Sequence, residues 1–233
     1  MLFPRQGAAP REAVLVNTAG GITGGDRFRL SATVEPGCEL TLTTQAAERA
    51  YRASGGDVGW VENRMQVEGA SRLNWLPQET ILFDGSALSR CTRIDLSTEA
   101  QLLFCEPLVF GRLAMQEAVR AARFEDRVRI FREGDPLFLD AVRLDGDLQA
   151  HLDRPFVANG ARAMASLVYV GPDAVAHLDP LRALLPDTAG ASLLADDILV
   201  LRLLAGDGYA LRKTLIPVLN RLYRSDLPRC WMI

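Results

Sequence analysis

The chain of 233 residues sets 26 lysines and arginines against 29 aspartates and glutamates, a formal net charge of −3, and leaves no electrostatic footprint for nucleic acid or an anionic membrane. Its 48% hydrophobic residues and mean hydropathy of +0.06 suffice for a packed core, so disorder is not the default. No apolar run approaches the roughly 20 residues of a spanning helix and residues 1–10 lack the apolar stretch of a signal peptide, so a soluble cytoplasmic protein is expected.

In chain order, residues 12–17 (EAVLVN) form a β-branched run, and residues 26–34 alternate with Phe28, Leu30, Ala32 and Val34 on one face; both are expected to be strands. Pro36-Gly37 supplies a turn, and residues 38–44 place Cys38, Leu40 and Leu42 on one face, which predicts a hairpin. Residues 45–52 carry the only early helical character, one or two turns at most, stopped by Ser54-Gly55-Gly56-Asp57. Strand patterns follow at 58–67, 72–76, 88–96, 101–105, 118–131 and 137–144, punctuated by Gly69, Asp84-Gly85 and Gly134-Asp135-Pro136. Strands so closely spaced leave no room for crossover helices, so a sandwich, barrel or β-helical stack is expected in place of a parallel α/β sheet. No fixed-period repeat is visible.

The last third changes character. A strand is expected at 163–170, an apolar segment at 181–185 ends at Pro186, and a further strand is expected at 198–204. From Tyr209, Leu211, Leu215, Leu219 and Leu222 recur at helical spacing, with Arg212, Lys213, Arg221 and Arg224 on other faces. That is an amphipathic helix, expected on both sides of Pro217 although proline removes a backbone donor.

The segment Gly20-Gly21-Ile22-Thr23-Gly24-Gly25-Asp26 invites comparison with a phosphate loop, whose backbone N–H groups cradle an anion. Such a loop draws on the N-terminus of a following helix. Here a strand pattern follows and no Walker lysine stands, so a tight turn between strands is favoured, with Asp26 as its cap. Residues 75–85 (WLPQETILFDG) set Glu79 and Asp84 among large apolar side chains, and Glu106 ends an apolar run. A carboxylate in such a setting needs a partner; Arg72 and Arg90 suit Glu79 and Asp84, and Arg112 suits Glu117. His151 and His177 are the only imidazoles available to a nucleophile, and both sit where surface residues are expected. Cys38, Cys91, Cys105 and Cys230 are far apart, spell no zinc or redox motif, and read as small buried hydrophobes.

Four segments occur in order: NTAGGITGGDRF at 17–28, TTQAAERAYR at 43–52, WLPQETILFDG at 75–85 and EPLVFGRLAMQE at 106–117. Together they resemble the urease accessory protein family UreD, also called UreH, and the ending LRKTLIPVLNRLYR is similar to that family's tail. The resemblance covers the whole chain. It implies a mainly β, β-helix-like stack in one domain over 1–233, with a small helical part over about 180–233 and a shorter N-terminus than the family usually carries. It further implies a protein that is not an enzyme, has no tightly bound cofactor, and forms a hetero-oligomer with UreF, touching it in part through the basic C-terminal helix. With the GTPase UreG on urease apoprotein, such a protein assists nickel insertion into the urease active site.

On that resemblance, Glu79, Asp84 and Glu106 are expected to line or gate a transient nickel path, with Asp26 and Glu117 as further candidates. Scattered carboxylates release nickel(II) more readily than thiolate or imidazole clusters do. Two other readings stay open on the sequence: a small-molecule enzyme binding phosphate at residues 20–25, and a scaffold without a metal path.

Overall fold

Apolar and polar residues alternate along many segments of the chain, and strands are its main secondary structure. The structure, a computed structural model, describes residues 1–4 and 11–232. Its strands are β1 (Arg11–Leu15), β2 (Arg27–Val34), β3 (Glu39–Thr44), β4 (Glu48–Ala50), β5 (Gly59–Val67), β6 (Arg72–Leu76), β7 (Thr80–Leu82), β8 (Ala87–Leu96), β9 (Gln101–Phe110), β10 (Ala122–Arg132), β11 (Asp135–Gly146), β12 (Ala163–Val170), β13 (Ala189–Ala195) and β14 (Ile198–Ala205). Its helices are α1 (Leu148–Leu152), α2 (Ala174–Arg182) and α3 (Gly208–Leu222).

Among the described residues, the strands form a five-stranded sheet in the order β11-β10-β8-β5-β2 and a nine-stranded sheet along β1-β3-β6-β9-β12-β14-β13, with β4 pairing β7 and β7 pairing β9. The chain passes from one sheet to the other at each coil: β2 then β3, β5 then β6, β8 then β9. It is a β-solenoid with a small C-terminal helix. Glu39 opposes Arg72 and Arg72 opposes Gln101, coils of 33 and 29 residues, and this inequality hides the repeat from the sequence.

Two expectations fail here. The turn at Pro36-Gly37 makes no hairpin; it carries the chain between sheets, and β2 and β3 pair in parallel with β5 and β6. Parallel pairing normally needs a crossover helix, but in a solenoid the crossover is a strand of the opposite sheet. Residues 45–52 form no helix, because neighbouring coils claim their backbone groups. Glu48 N donates to Glu79 O at 2.8 Å and Tyr51 N to Ile22 O at 2.7 Å.

The nine-stranded sheet is covered on both faces, by the five-stranded sheet on one and by α2 and α3 on the other. Strands buried on both faces lose their alternation, as β6 and β9 do. On α3, Leu211, Leu215, Val218, Leu219 and Leu222 are buried, each worth roughly 1.5–3 kcal/mol. Their sum exceeds the roughly 3 kcal/mol that Pro217 costs a helix, so α3 runs through it. Residues 181–185 begin as the end of α2, and β13 was not expected.

Beyond α3 the tail returns to the sheet. Trp231 is fully buried and donates from Nε1 to Leu76 O at 3.0 Å, while Arg212 stacks on its ring at 5.1 Å. Trp231→Ala is expected to destabilise the protein by about 3–5 kcal/mol, seen as a lower urea midpoint at unchanged slope. An unchanged midpoint would remove the tail from the core.

Candidate functional site

Between the two sheets lie two apolar clusters, one containing Met65, Ile94 and Phe104, the other Leu88, Phe110 and Phe124. A polar layer separates them. Period-two alternation places Arg90 between Leu88 and Ile94 on the inner face of β8, Asp126 between Phe124 and Val128 on β10, and Glu106 between Phe104 and Leu108 on β9. Parallel register makes Arg90 and Asp126 direct cross-strand neighbours.

The three groups lock together. Arg90 Nε and Nη2 donate to the two Asp126 oxygens at 2.9 and 2.6 Å, a bidentate fork, and Nη1 donates to Thr80 Oγ1 at 3.2 Å. Glu106 Oε1 accepts from Trp75 Nε1 at 2.8 Å and from Thr92 Oγ1 at 3.1 Å. Glu106 Oε2 lies 2.8 Å from Arg90 Nη2 yet makes no directed hydrogen bond, so it gains charge attraction alone. One guanidinium thus faces two carboxylates, all three side chains buried. Burial, and then the Asp126 charge, push the Glu106 carboxyl up against the opposing pull of Arg90, Trp75 and Thr92.

Backbone pairing opens beside this layer. β9 pairs with β6 as far as Trp75 and Phe104 and resumes with β7 at Thr80 and Leu108, so residues 76–79 turn a corner away from Glu106. A cavity of about 470 Å³ reaches the layer from outside; residues 17–20 and 44–49 line its outer part, and Asn63, Trp75, Thr80 and Arg90 its inner part. At the mouth, Asn17 Nδ2 donates to Glu48 at 3.0 and 3.2 Å and to Gly21 O at 3.0 Å.

The glycine segment is the expected turn. Asp26 caps it by accepting from Thr23 N at 2.8 Å, Gly25 takes φ +87°, and β2 follows directly. At Gly21 a Cβ would stand 2.3 Å from the Tyr51 ring and 2.7 Å from Arg49 O; only glycine lets Ile22 bridge to Ala50 of β4.

The other predicted residues are dispersed. Glu79 pairs with Arg212 at 3.1 Å, beneath the C-terminal tail, and not with Arg72 or Arg90. Asp84 pairs with Arg52 at 2.6 Å and accepts from Arg120 N and Ala121 N at 2.9 Å; the Ala121 N–H first, then those of Arg120 and Arg52, hold its carboxyl below the ordinary range. Glu117 pairs with Arg112 at 2.9 Å, as expected, and accepts from Asp84 N at 3.4 Å; Arg112 chiefly lowers its carboxyl. Asp84 and Glu117 therefore stand together, clamping the 111–121 loop, while Glu106 alone of the five sits in the buried layer.

Reading the sequence missed Asp126, Asn17 and Glu48. The available signal for Asp126 was a charge at an inward position of an alternating strand. His177 is more enclosed than expected, 3.3 Å from Asp173 and edge-on to Tyr169. Of the cysteines only Cys105 is buried; Cys38 is exposed, and Cys91 and Cys230 are half-buried.

Fold and site together define a β-solenoid with an open cavity between its sheets, lined by apolar and polar side chains together. Residues 1–232 match the family described as UreD urease accessory protein. The urease accessory protein UreD of Ruegeria pomeroyi is 55% identical over 232 residues, covering 100% of this chain and 90% of that protein. That of Roseobacter denitrificans is 51% identical over 222 residues (95% and 81%), and that of Brucella suis 44% over 235 residues (99% and 84%). The chain belongs to the UreD family of urease accessory proteins.

Arg90→Met strands two buried carboxylates and is expected to cost about 3–5 kcal/mol. Glu106→Gln keeps acceptors for Trp75 and Thr92 while removing a buried charge. Because Glu106 titrates above its ordinary 4.5 when folded, the native state holds its proton more tightly than the unfolded chain does. Wild-type stability relative to Glu106→Gln therefore falls as pH rises from below that value through the raised one. Urea unfolding of both proteins between about pH 4 and about pH 8 reads this difference; a difference that grows with pH contradicts it.

Proposed function

We propose that this chain is a non-enzymatic scaffold of urease maturation that joins UreF and the GTPase UreG to urease apoprotein in the cytoplasm. We further propose that nickel(II) passes transiently through its interior on the way to the urease active site. Membership of the UreD family supports the maturation role, and the cavity of about 470 Å³ is the observation that carries the passage. Asn17, Gln45, Glu48, Asn63, Gln78 and Thr80 line it. Amide, hydroxyl and carboxylate oxygens of this kind replace part of a divalent ion's hydration shell weakly enough to let it go.

Arg90 closes the inner end, and its charge opposes an incoming cation. In this reading Arg90 moves off Glu106 as the ion arrives, and the carboxylate it releases becomes a ligand. Glu79, covered by Arg212, is the second gating carboxylate. None of the five carboxylates is itself in the cavity lining; Glu106 touches the lining residues Trp75 and Arg90 and Glu79 lies between Gln78 and Thr80, whereas Asp26, Asp84 and Glu117 are less direct stations of such a path. The proposed scaffold needs no tightly held cofactor and no membrane anchor; among the described residues no helix is long and apolar enough to cross a membrane.

Glu79→Gln and Glu106→Gln, each co-expressed with UreF, UreG and urease, are expected to lower urease activation roughly tenfold while the partners still co-purify. Full activation by both variants leaves a scaffold without a metal path. Loss of co-purification instead assigns these carboxylates to assembly.

A further inference from the structure

The alternation that sends Arg90 inward sends Arg64, Arg93 and Arg129 to the outer face of the five-stranded sheet. Arg64 on β5 opposes Arg93 on β8, and Arg93 opposes Arg129 on β10, so three guanidiniums form one cross-strand row. Like charges directly opposite in a sheet destabilise it, so the row is kept at a cost to the fold. Nearby acids offset two of the three: Arg64 pairs with Glu62 at 2.5 Å, and Arg93 with Asp95 at 2.7 Å while stacking on Phe131 at 4.4 Å. Arg129 is exposed and has no ion pair or side-chain hydrogen bond among the described residues.

A groove of about 620 Å³ lies over the row, with Ser31, Thr33, Gln66 and Cys91 also in its lining. The chain as a whole is acidic, at −3, yet this groove carries three arginines against Glu62 and Asp95. We infer that the groove docks an extended acidic segment of a partner protein, whose carboxylates pair with the arginine row. Guanidinium forks match carboxylates in pairs. An extended peptide laid across the strands presents same-face side chains about every 6.7 Å, within reach of arginines rooted on strands about 4.8 Å apart. Glu62 and Asp95 beside the row disfavour a polymer with a charge on every unit and admit a segment whose acids alternate with neutral residues. The inference does not depend on the nickel path, because no residue of the row lines the interior cavity.

The test is fluorescence anisotropy of a labelled peptide alternating glutamate with serine, titrated with the purified full-length protein at low salt. Three proteins are compared: wild type, Arg93→Glu/Arg129→Glu, and a control, Arg154→Glu, exposed after α1 and outside the groove. Wild type and the control are expected to bind alike, binding should weaken with added salt, and the double reversal should lose at least about tenfold. Arg93→Gln/Arg129→Gln, which relieves the repulsion without reversing charge, should also lose affinity while melting no lower than wild type, separating docking from folding. Equal binding by wild type and both double variants, or no binding by wild type, overturns the inference. So does displacement of the peptide by a heparin fragment that binds the same arginines more tightly, since the occupant is then a polyanion and not an acidic protein segment.

Discussion

Arg90 sits at the centre of a buried charge cluster between the two sheets, held by Asp126 across the strand and Glu106 from the opposite sheet. Replacing such a buried cluster with apolar side chains often leaves stability unchanged, whereas removing one member strands the others. Its contribution is therefore best sought in specificity. A one-residue slip of β8 would put Arg90 on the outer face and Cys91 in the core, and every side chain of the strand would follow. The charge layer thus pins the register of β8, β9 and β10. Our hypothesis is that this pinning keeps the coils aligned around the cavity, and the loss of stability expected for Arg90→Met is its first consequence.

The layer connects to the surface by two routes. One is the cavity, whose mouth is shaped by the glycine turn and the Asn17–Glu48 contact. The other is the corner at residues 76–79, where Gln78 and Glu79 are covered by Arg212, and Leu76 accepts from Trp231. Helix, tail and corner form one unit. The C-terminal segment is thereby packed on the corner that leads into β7, the strand paired with β9 and its buried Glu106.

Much of this was legible in the sequence. Period-two alternation located β2, β5, β8 and β10, and leucine spacing located α3, because each has one wet and one dry face. What failed was pairing. The Pro36-Gly37 turn reads the same whether it closes a hairpin or carries a strand to another sheet, and the difference lies in backbone partners some thirty residues away. Residues 45–52 looked helical because alanines and charged residues suit a helix locally, while hydrogen bonds to the next coil decide otherwise. At the site, Glu106 was recognisable as a carboxylate in an apolar run. Asp126 was not, since its significance depends on register with Arg90.

Passage of cargo between the sheets is tested most directly by obstructing the cavity without touching a charge. Ala47 is a half-buried residue of the outer lining, and Ala47→Phe leaves Arg90, Glu106, Asp126 and Glu79 in place. The measurement is the nickel content of urease purified after co-expression with this variant and with wild type. If nickel travels through the cavity, urease matured with Ala47→Phe holds most of its sites empty although the accessory complex assembles; a full nickel load would contradict passage by this route.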